Sequence, residues 1–438
     1  MAGLDRALEQ FVGHPSPEKL TARAPECPLP PCGRNSFLFL QGVSSPFFDR
    51  LAKALRVRDQ RVHRINFNVG DVLYSSGTRS VFSARPDELE DFYRQRFNDL
   101  GITDVVLFGD CRPVHRPAVT LARQLGIRVH VFEEGYFRPY WITLERDGVN
   151  NNSRLPRDPA WYREVGKHIE RYGNGTPFKL SFAARATHDV LYHSGGALNK
   201  LCFPHYRTHA PYSAAKEYAG FIRQGVRLLL AARRDDTLVA EVAREKHPTF
   251  LLPLQLDSDS QIKDHSPFAN MFEVIEHVIA SFAAHAPSAA RLLVKNHPLS
   301  PGLVDYKRIT QALAQQYGVS DRVDYLASGH MPTLLSHIAG MITVNSTAGA
   351  SALLHKRPTF ALAEPIYAMP GLTHQGSLDD FWQHPQVPDM ELFHHFRNTV
   401  IHTTQVNGGF YTRCGIDMAV NNCLDVLLAK KSRIENYL

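Results

Sequence analysis

The sequence has no long apolar run. None of its 438 residues belongs to a stretch of the roughly 18 apolar residues that a membrane-spanning helix needs. The opening MAGLDRALEQFVGHPSPEKL lacks an apolar h-region, so no secretory signal is expected and the chain is expected to stay in the cytoplasm. Cysteine is scarce. Cys27, Cys32, Cys111, Cys202, Cys414 and Cys423 are scattered, with no CxxC pair and no zinc-finger spacing, which predicts reduced, mostly structural thiols. The 22 histidines form no HExxH cluster, and no bound metal is expected. Neither a Walker A loop nor a GxGxxG fingerprint occurs, which argues against an ATPase and against a dehydrogenase.

What is present is ordinary for a folded protein: 44% hydrophobic and 21% charged residues. The length exceeds what one core usually serves, so two domains are expected. The net charge, 49 − 43 = +6, is uneven. From Arg154 to Arg234 there are 14 Lys/Arg against 5 Asp/Glu, a local +9 that leaves the rest of the chain at −3. Such a stretch suits an anionic partner, a membrane surface or a nucleic acid, or is simply a solvated helical face.

Residues 1–34 are Pro-rich and aperiodic and read as a tail. A βα alternation then fills residues 35–154, with strands expected at 36–40, 62–67, 104–108 and 128–132. Residues 155–245 carry helical periods and basic residues, and read as a helical insert or connector. A second βα series occupies 246–400, with strands at 249–254, 291–295, 322–326, 340–344 and 358–362. Residues 401–438 are expected to be helical and to pack back on the first lobe. Strands alternating with helices imply parallel sheets. The expected fold class is α/β, with two Rossmann-like lobes facing a cleft, the glycosyltransferase-B arrangement.

In open α/β sheets, ligands lie beyond the carboxyl ends of the strands. Four polar clusters fall at such ends. Glu133-Glu134-Gly135 follows the strand at 128–132. Neighbouring strand residues point to opposite faces, so one of the two acids is expected in the cleft, with Arg138 close behind. Lys295-Asn296-His297-Pro298 suits a phosphate leaving group, the imidazole donating and the ammonium adding charge. Asn345-Ser346-Thr347 opens a helix, where small polar residues cap it and offer N–H groups to phosphate. Gln255 and Asp259 belong to a fourth loop, expected to meet a donor's ribose or base or to form a hinge. In the first lobe, loops bearing Ser44, Asn68, Arg112 and His115 are candidates for an anionic or polyhydroxylated substrate.

On these residues the chain resembles the KpsS/LipB capsule polysaccharide family. The likeness runs from about Ser36 to Thr412 and is carried by FLQGVSSPFF (39–48), RINFNVGD (64–71), LFGDCRPVHRPA (107–118), VFEEGYFRPYWITLERDGVN (131–150), LQLDSDSQI (254–262), VKNHPL (294–299), NSTAGASALLH (345–355), PGLTHQGSLDDFW (370–382) and TQVNGGFYT (404–412). The resemblance implies a retaining β-Kdo transferase. It would take Kdo from CMP-Kdo, a substrate rather than a cofactor, and place it on phosphatidylglycerol or lysophosphatidylglycerol. It further implies a peripheral position on the inner face of the inner membrane, possible contact with other capsule-assembly proteins, and no nucleic acid. Glu134 would be the nucleophile, with Glu133 as fallback. Lys295, His297, Pro298, Asn345, Ser346, Thr347, Gln255 and Asp259 would bind the donor. Arg138, Arg112, His115, Ser44 and Asn68 would meet the sugar carboxylate or the acceptor. Two other readings stay open: a non-catalytic assembly or export partner, and another CMP-sugar transferase of sialyltransferase type.

Overall fold

The computed structural model describes residues 34–438, apart from 78, 208–213, 245–246, 258–259 and 264. Asp259 and most of the N-terminal tail lie outside the described residues. Twelve strands occur among those described: β1 (Ser36–Phe39), β2 (Arg61–Asn66), β3 (Arg79–Val81), β4 (Asp104–Phe108), β5 (Arg128–Glu134), β6 (Trp141–Arg146), β7 (Thr249–Pro253), β8 (Arg291–Lys295), β9 (Val323–Leu326), β10 (Gly340–Thr343), β11 (Thr359–Ala361) and β12 (Gln405–Asn407). They form a seven-stranded sheet, β12-β6-β5-β4-β1-β2-β3, and a five-stranded one, β11-β10-β7-β8-β9. The second sheet is wholly parallel.

Burial on both faces explains the composition of the central strands. Phe37, Leu38 and Phe39 in β1 and Val105, Val106 and Leu107 in β4 are fully buried, as parallel strands covered on two sides require. The helix Phe47–Val57 covers one face with Phe47, Phe48, Leu51, Ala52 and Leu55, which recur at helical spacing. In the second lobe the helix Met271–His285, capped by Asn270 accepting from the Glu273 N–H, buries Val274, Ile275, Val278, Ile279 and Phe282.

The first sheet is mixed, which corrects the purely parallel expectation. β6 runs antiparallel to β5, and β12 antiparallel to β6. Neither strand stands out in the sequence: WITLER mixes polar and apolar residues, and β12 has three residues. The strand β5 also runs on through the acidic pair, Glu133 pairing with Thr143 and Glu134 with Ile142. The two carboxylates therefore stand on a rigid ladder rather than in a loop. Gly135 follows directly. A Cβ there would lie 2.0 Å from the Trp141 carbonyl oxygen, so only glycine lets the chain turn so close to its partner strand.

After the second sheet the helix Met390–Thr404 crosses back and packs on the helix Pro159–Gly166. Strand β12 and the helix Arg413–Leu428 then join the first lobe, where Phe410, Ile416, Cys423 and Leu427 share a core with Phe47, Phe48 and Phe132. Between the sheets lie the helices Phe182–Ser194 and Ala214–Arg244. The latter buries Leu238 and Val242 against Leu251, Leu293 and Leu334 of the second lobe.

Candidate active site

Three separate parts of the chain meet at the end of β5: the strand itself, the helix Phe182–Ser194 and the segment after β12. Glu134 presents its Oε1 3.5 Å from Nη1 of Arg185, on the helix Phe182–Ser194. The Tyr411 hydroxyl donates to the same oxygen at 3.4 Å. The Arg185 guanidinium lies over the Tyr411 ring, 4.7 Å from its centroid. Burial raises the pKa of the Tyr411 hydroxyl, so it stays protonated and acts as a donor. Glu133 behaves differently: its Oε1 accepts the Glu134 backbone N–H at 2.9 Å. The two acids thus have different partners, and Glu134 is the one that meets the insert.

His297 stands on the facing lobe. Burial pushes its pKa down to about 3, aided by the positive charges of Arg138, Lys295 and Arg185. Of these charges, Arg138 lies in the connection between β5 and β6 and Arg185 on the helix Phe182–Ser194. The imidazole is neutral, and its Nδ1 accepts the Leu299 N–H at 3.1 Å. Its proton therefore resides on Nε2, a donor for an anion.

Other sequence-predicted residues take supporting positions. Lys295 is buried, and its pKa is pushed down to about 8 by burial, against the opposing pull of Asp235. Asp235 in turn accepts from the Ser328 N–H and hydroxyl at 2.8 and 3.0 Å. Lys295 thus adds charge from beneath the site. Gln255 and Asn345 are buried and bond each other: the Gln255 amide donates to Asn345 Oδ1 at 3.0 Å and accepts the Asn345 N–H at 3.3 Å. They hold the ends of β7 and β10 together under the Ser346 turn. Ser346 caps the helix Thr347–Leu354 by accepting the Ala348 N–H at 3.2 Å. Tyr367 donates to the Ser346 carbonyl at 2.5 Å. Pro298 is exposed beside His297, and Ser44 is half-buried before the helix Phe47–Val57.

The remaining first-lobe candidates brace the scaffold. His115 is fully buried, and its Nδ1 lies 2.6 Å from the Gly109 carbonyl oxygen, which fixes the turn after β4. Arg112 donates to Gln41 Oε1 and the Gly42 carbonyl at 3.2 and 3.0 Å. Asn68 caps its helix through the Asp71 N–H and donates to the Tyr192 hydroxyl at 2.9 Å. Tyr192 also donates to Asp71 Oδ1 at 2.8 Å, and Gln41 donates to Asp71 Oδ2 at 3.2 Å. This buried network locks the insert onto the first lobe. It lies two turns along the same helix from Arg185.

A cleft of ≈ 380 Å³, open to solvent, runs between the lobes and is lined by Tyr136, Asn150, His265, Thr347, Glu364 and Tyr367 among others. Arg157 ties its rim across the lobes by donating to the Pro365 carbonyl at 2.5 Å. At one edge Cys111 Sγ lies 3.4 Å from His265 Nε2. Asp110, Cys111 and His265 bring donor atoms within 4.8 Å of one another. They are the described residues best placed to hold a cation, a grouping the sequence does not suggest because Asp110 and Cys111 lie in the first lobe and His265 in the second. Behind the cleft Glu145 is buried, accepts from Tyr136 at 2.6 Å and pairs with the Ser153 hydroxyl. Burial raises its pKa to about 7, with nearby Asp110 adding to the shift. A carboxyl held above its unfolded value stabilises the fold below about pH 4.5, and that stabilisation is lost as pH rises through about 7. Glu145→Gln should therefore stabilise the fold at pH 8 by on the order of 2 kcal/mol, seen as a higher unfolding midpoint, and change stability little at pH 5. Scanning fluorimetry at both pH values checks this; an equal shift at both would contradict it.

Arg185 and Tyr411 are the site residues that the sequence reading misses. Arg185 and Tyr192 lie seven residues apart on one helix face, a polar repeat legible in principle. Tyr411 lies inside the segment TQVNGGFYT.

Two Rossmann-like lobes, with acidic and basic side chains at their strand ends, make an α/β fold of the glycosyltransferase-B type. The chain belongs to the capsule polysaccharide biosynthesis protein family, whose model matches residues 103–411. It is 35% identical over 385 residues to the capsule polysaccharide modification protein LipB of Neisseria meningitidis serogroup B, covering 86% of this chain and 92% of that one. It is also 35% identical over 381 residues to the capsule polysaccharide export protein KpsS of Escherichia coli, covering 86% and 96%. Among solved structures, a β-Kdo 2,7 transferase, KpsC of Thermosulfurimonas dismutans, matches at 13% identity and a TM-score of 0.41, over 90% of this chain and 99% of that one.

Proposed function

We propose that this protein is a retaining β-Kdo transferase of capsule biosynthesis, moving Kdo from CMP-Kdo to a phosphatidylglycerol-type lipid. The observation that carries the reading is the Glu134 carboxylate, held between Arg185 and Tyr411, with the charge of the same Arg185 acting on His297. In the first step a Glu134 oxygen bonds to the anomeric carbon of Kdo, and the bond from that carbon to the CMP phosphate breaks. His297 donates a hydrogen bond to the departing phosphate, and the cationic field of Arg138 and Lys295 favours its charge. In the second step the lipid hydroxyl attacks the same carbon, the ester to Glu134 breaks, and the hydroxyl proton passes to the CMP phosphate. Two inversions give retention.

The names of the relatives support a capsule role, and the chemistry of the site supports sugar transfer. Incubation with CMP-Kdo and phosphatidylglycerol or lysophosphatidylglycerol should release CMP and yield a Kdo-modified lipid, seen by mass spectrometry. A protein that binds CMP-Kdo but releases no CMP with either lipid would sink the transferase reading and favour an assembly role. Release from CMP-sialic acid but not CMP-Kdo would keep the chemistry and change the donor.

A further inference from the structure

We infer that the outward face of the helix Ala214–Arg244 docks on an anionic bilayer. The helix is two-sided. One face carries Gln224, Asp235, Leu238 and Val242, all buried against the second lobe. The opposite face carries Ile222, Val226, Leu229 and Leu230, which are 74%, 55%, 77% and 80% exposed. At 100° per residue these four fall within one stripe about two turns long, pointing away from the core. Isolated exposed leucines need no explanation, but four large aliphatics on one outward stripe do. Gly225 lies beside the stripe with nothing within 4 Å of a Cβ position, consistent with an open flank.

Charge selects the partner. Arg233 continues the stripe itself, and Arg223, Arg227 and Arg234 line one flank, where they also reach the Gly302 carbonyl, Asp305 and Asp324 of the second lobe; all four are exposed. Lys216, in the first turn of the helix, is also exposed, and Lys200 and Arg207, exposed as well, precede the helix in the same insert. Asp236 is the exposed acid near the stripe's far end. An apolar stripe with a basic border is the pattern of a helix that lies in the interface of an anionic membrane. No helix among the described residues is long and apolar enough to cross one. A second copy of the chain fits less well, since a two-fold contact through this face would bring the arginines of both copies together.

Docking here would have a geometric consequence. The insert that carries the stripe also delivers Arg185 to Glu134, and the start of the helix is linked to the end of the Arg185 helix through Glu217 and His193. A lipid head group at this surface thus lies on the same element that completes the candidate active site. The inference goes beyond the proposed reaction and does not depend on it, because vesicle binding needs no donor sugar.

The test is flotation of the full chain with phosphatidylglycerol/phosphatidylcholine vesicles and with phosphatidylcholine alone. The wild type should float with the anionic vesicles, less at high salt, and hardly with the neutral ones. Ile222→Ser/Val226→Ser/Leu229→Ser/Leu230→Ser should lower partitioning about tenfold or more, with an unchanged unfolding midpoint because the four side chains are outside the core. If that midpoint falls, Arg233→Glu is the substitute, and a loss of anionic-vesicle binding is again expected. CMP release measured with detergent-dispersed lysophosphatidylglycerol as acceptor and no vesicles should match the wild type in both variants. Unchanged flotation of the variants overturns the inference. So does a wild type that ignores phosphatidylglycerol, or one that forms a dimer in light scattering which the serine variant turns into a monomer.

Discussion

Glu134→Gln should abolish sugar transfer, by about 10³-fold or more in turnover, while donor affinity changes no more than a few-fold. The amide keeps the length of the side chain and an oxygen for the Tyr411 hydroxyl, but it cannot form the ester to the anomeric carbon. The strand ladder that positions residue 134 against Ile142 does not depend on the side chain, so the variant should fold normally. Glu133→Gln should be milder. Its Oε1 serves the Glu134 N–H, a contact that the glutamine carbonyl oxygen reproduces. Intact-protein and peptide mass spectrometry of the wild type with CMP-Kdo and no acceptor should find one Kdo adduct, on Glu134. A Glu134→Gln enzyme with wild-type turnover, or an adduct elsewhere, removes the nucleophile assignment and leaves the acid as a partner for Arg185.

Much of the scaffold is legible in the sequence because its signals are local. The strands at 104–108 and 291–295 are short apolar runs bounded by helices of clear period, and they form as such. The acidic pair, the His-Pro loop and the Ser346 cap are likewise local features at strand ends. What escapes local reading is what long-range pairing decides. β6 and β12 become strands because the sheet supplies partners: Gln405 meets Thr143 from 262 residues away. Arg185 joins the site because Asn68, Asp71 and Tyr192 dock its helix, and no pattern within residues 182–194 names that destination. Long-range packing also decides what surrounds the strand-end candidates. Tertiary contacts bury His115, Gln255 and Asn345 and use polar atoms of each to hold turns, while Asn345 also lines the cleft. A polar residue at a strand end marks the neighbourhood of a site, and the packing decides whether it faces the ligand or the frame.

His297→Ala should weaken CMP binding about tenfold and cut turnover by about 10². This imidazole is held neutral, its pKa pushed down to about 3 by burial and by Arg138, Lys295 and Arg185. A phosphate arriving at Nε2–H brings negative charge into that cationic cluster and moves the imidazole pKa upward. Binding that raises a pKa takes up protons in the window between the free value, about 3, and the raised one, so the imidazole should favour CMP binding as pH falls into that window. Calorimetry in buffers of different ionisation enthalpy should show fractional proton uptake in the wild type and less of it in His297→Ala. Ser346→Ala makes the control. It removes a hydroxyl near the phosphate and also the cap on the Ala348 N–H, so it should lower both CMP affinity and stability, the latter by about 1 kcal/mol. Its proton uptake should remain that of the wild type, because the titrating group is still there. Unchanged CMP affinity in both variants would move the donor phosphate away from these loops. Proton uptake that persists undiminished in His297→Ala would assign the linkage to another group and leave the imidazole as a brace for the Leu299 backbone.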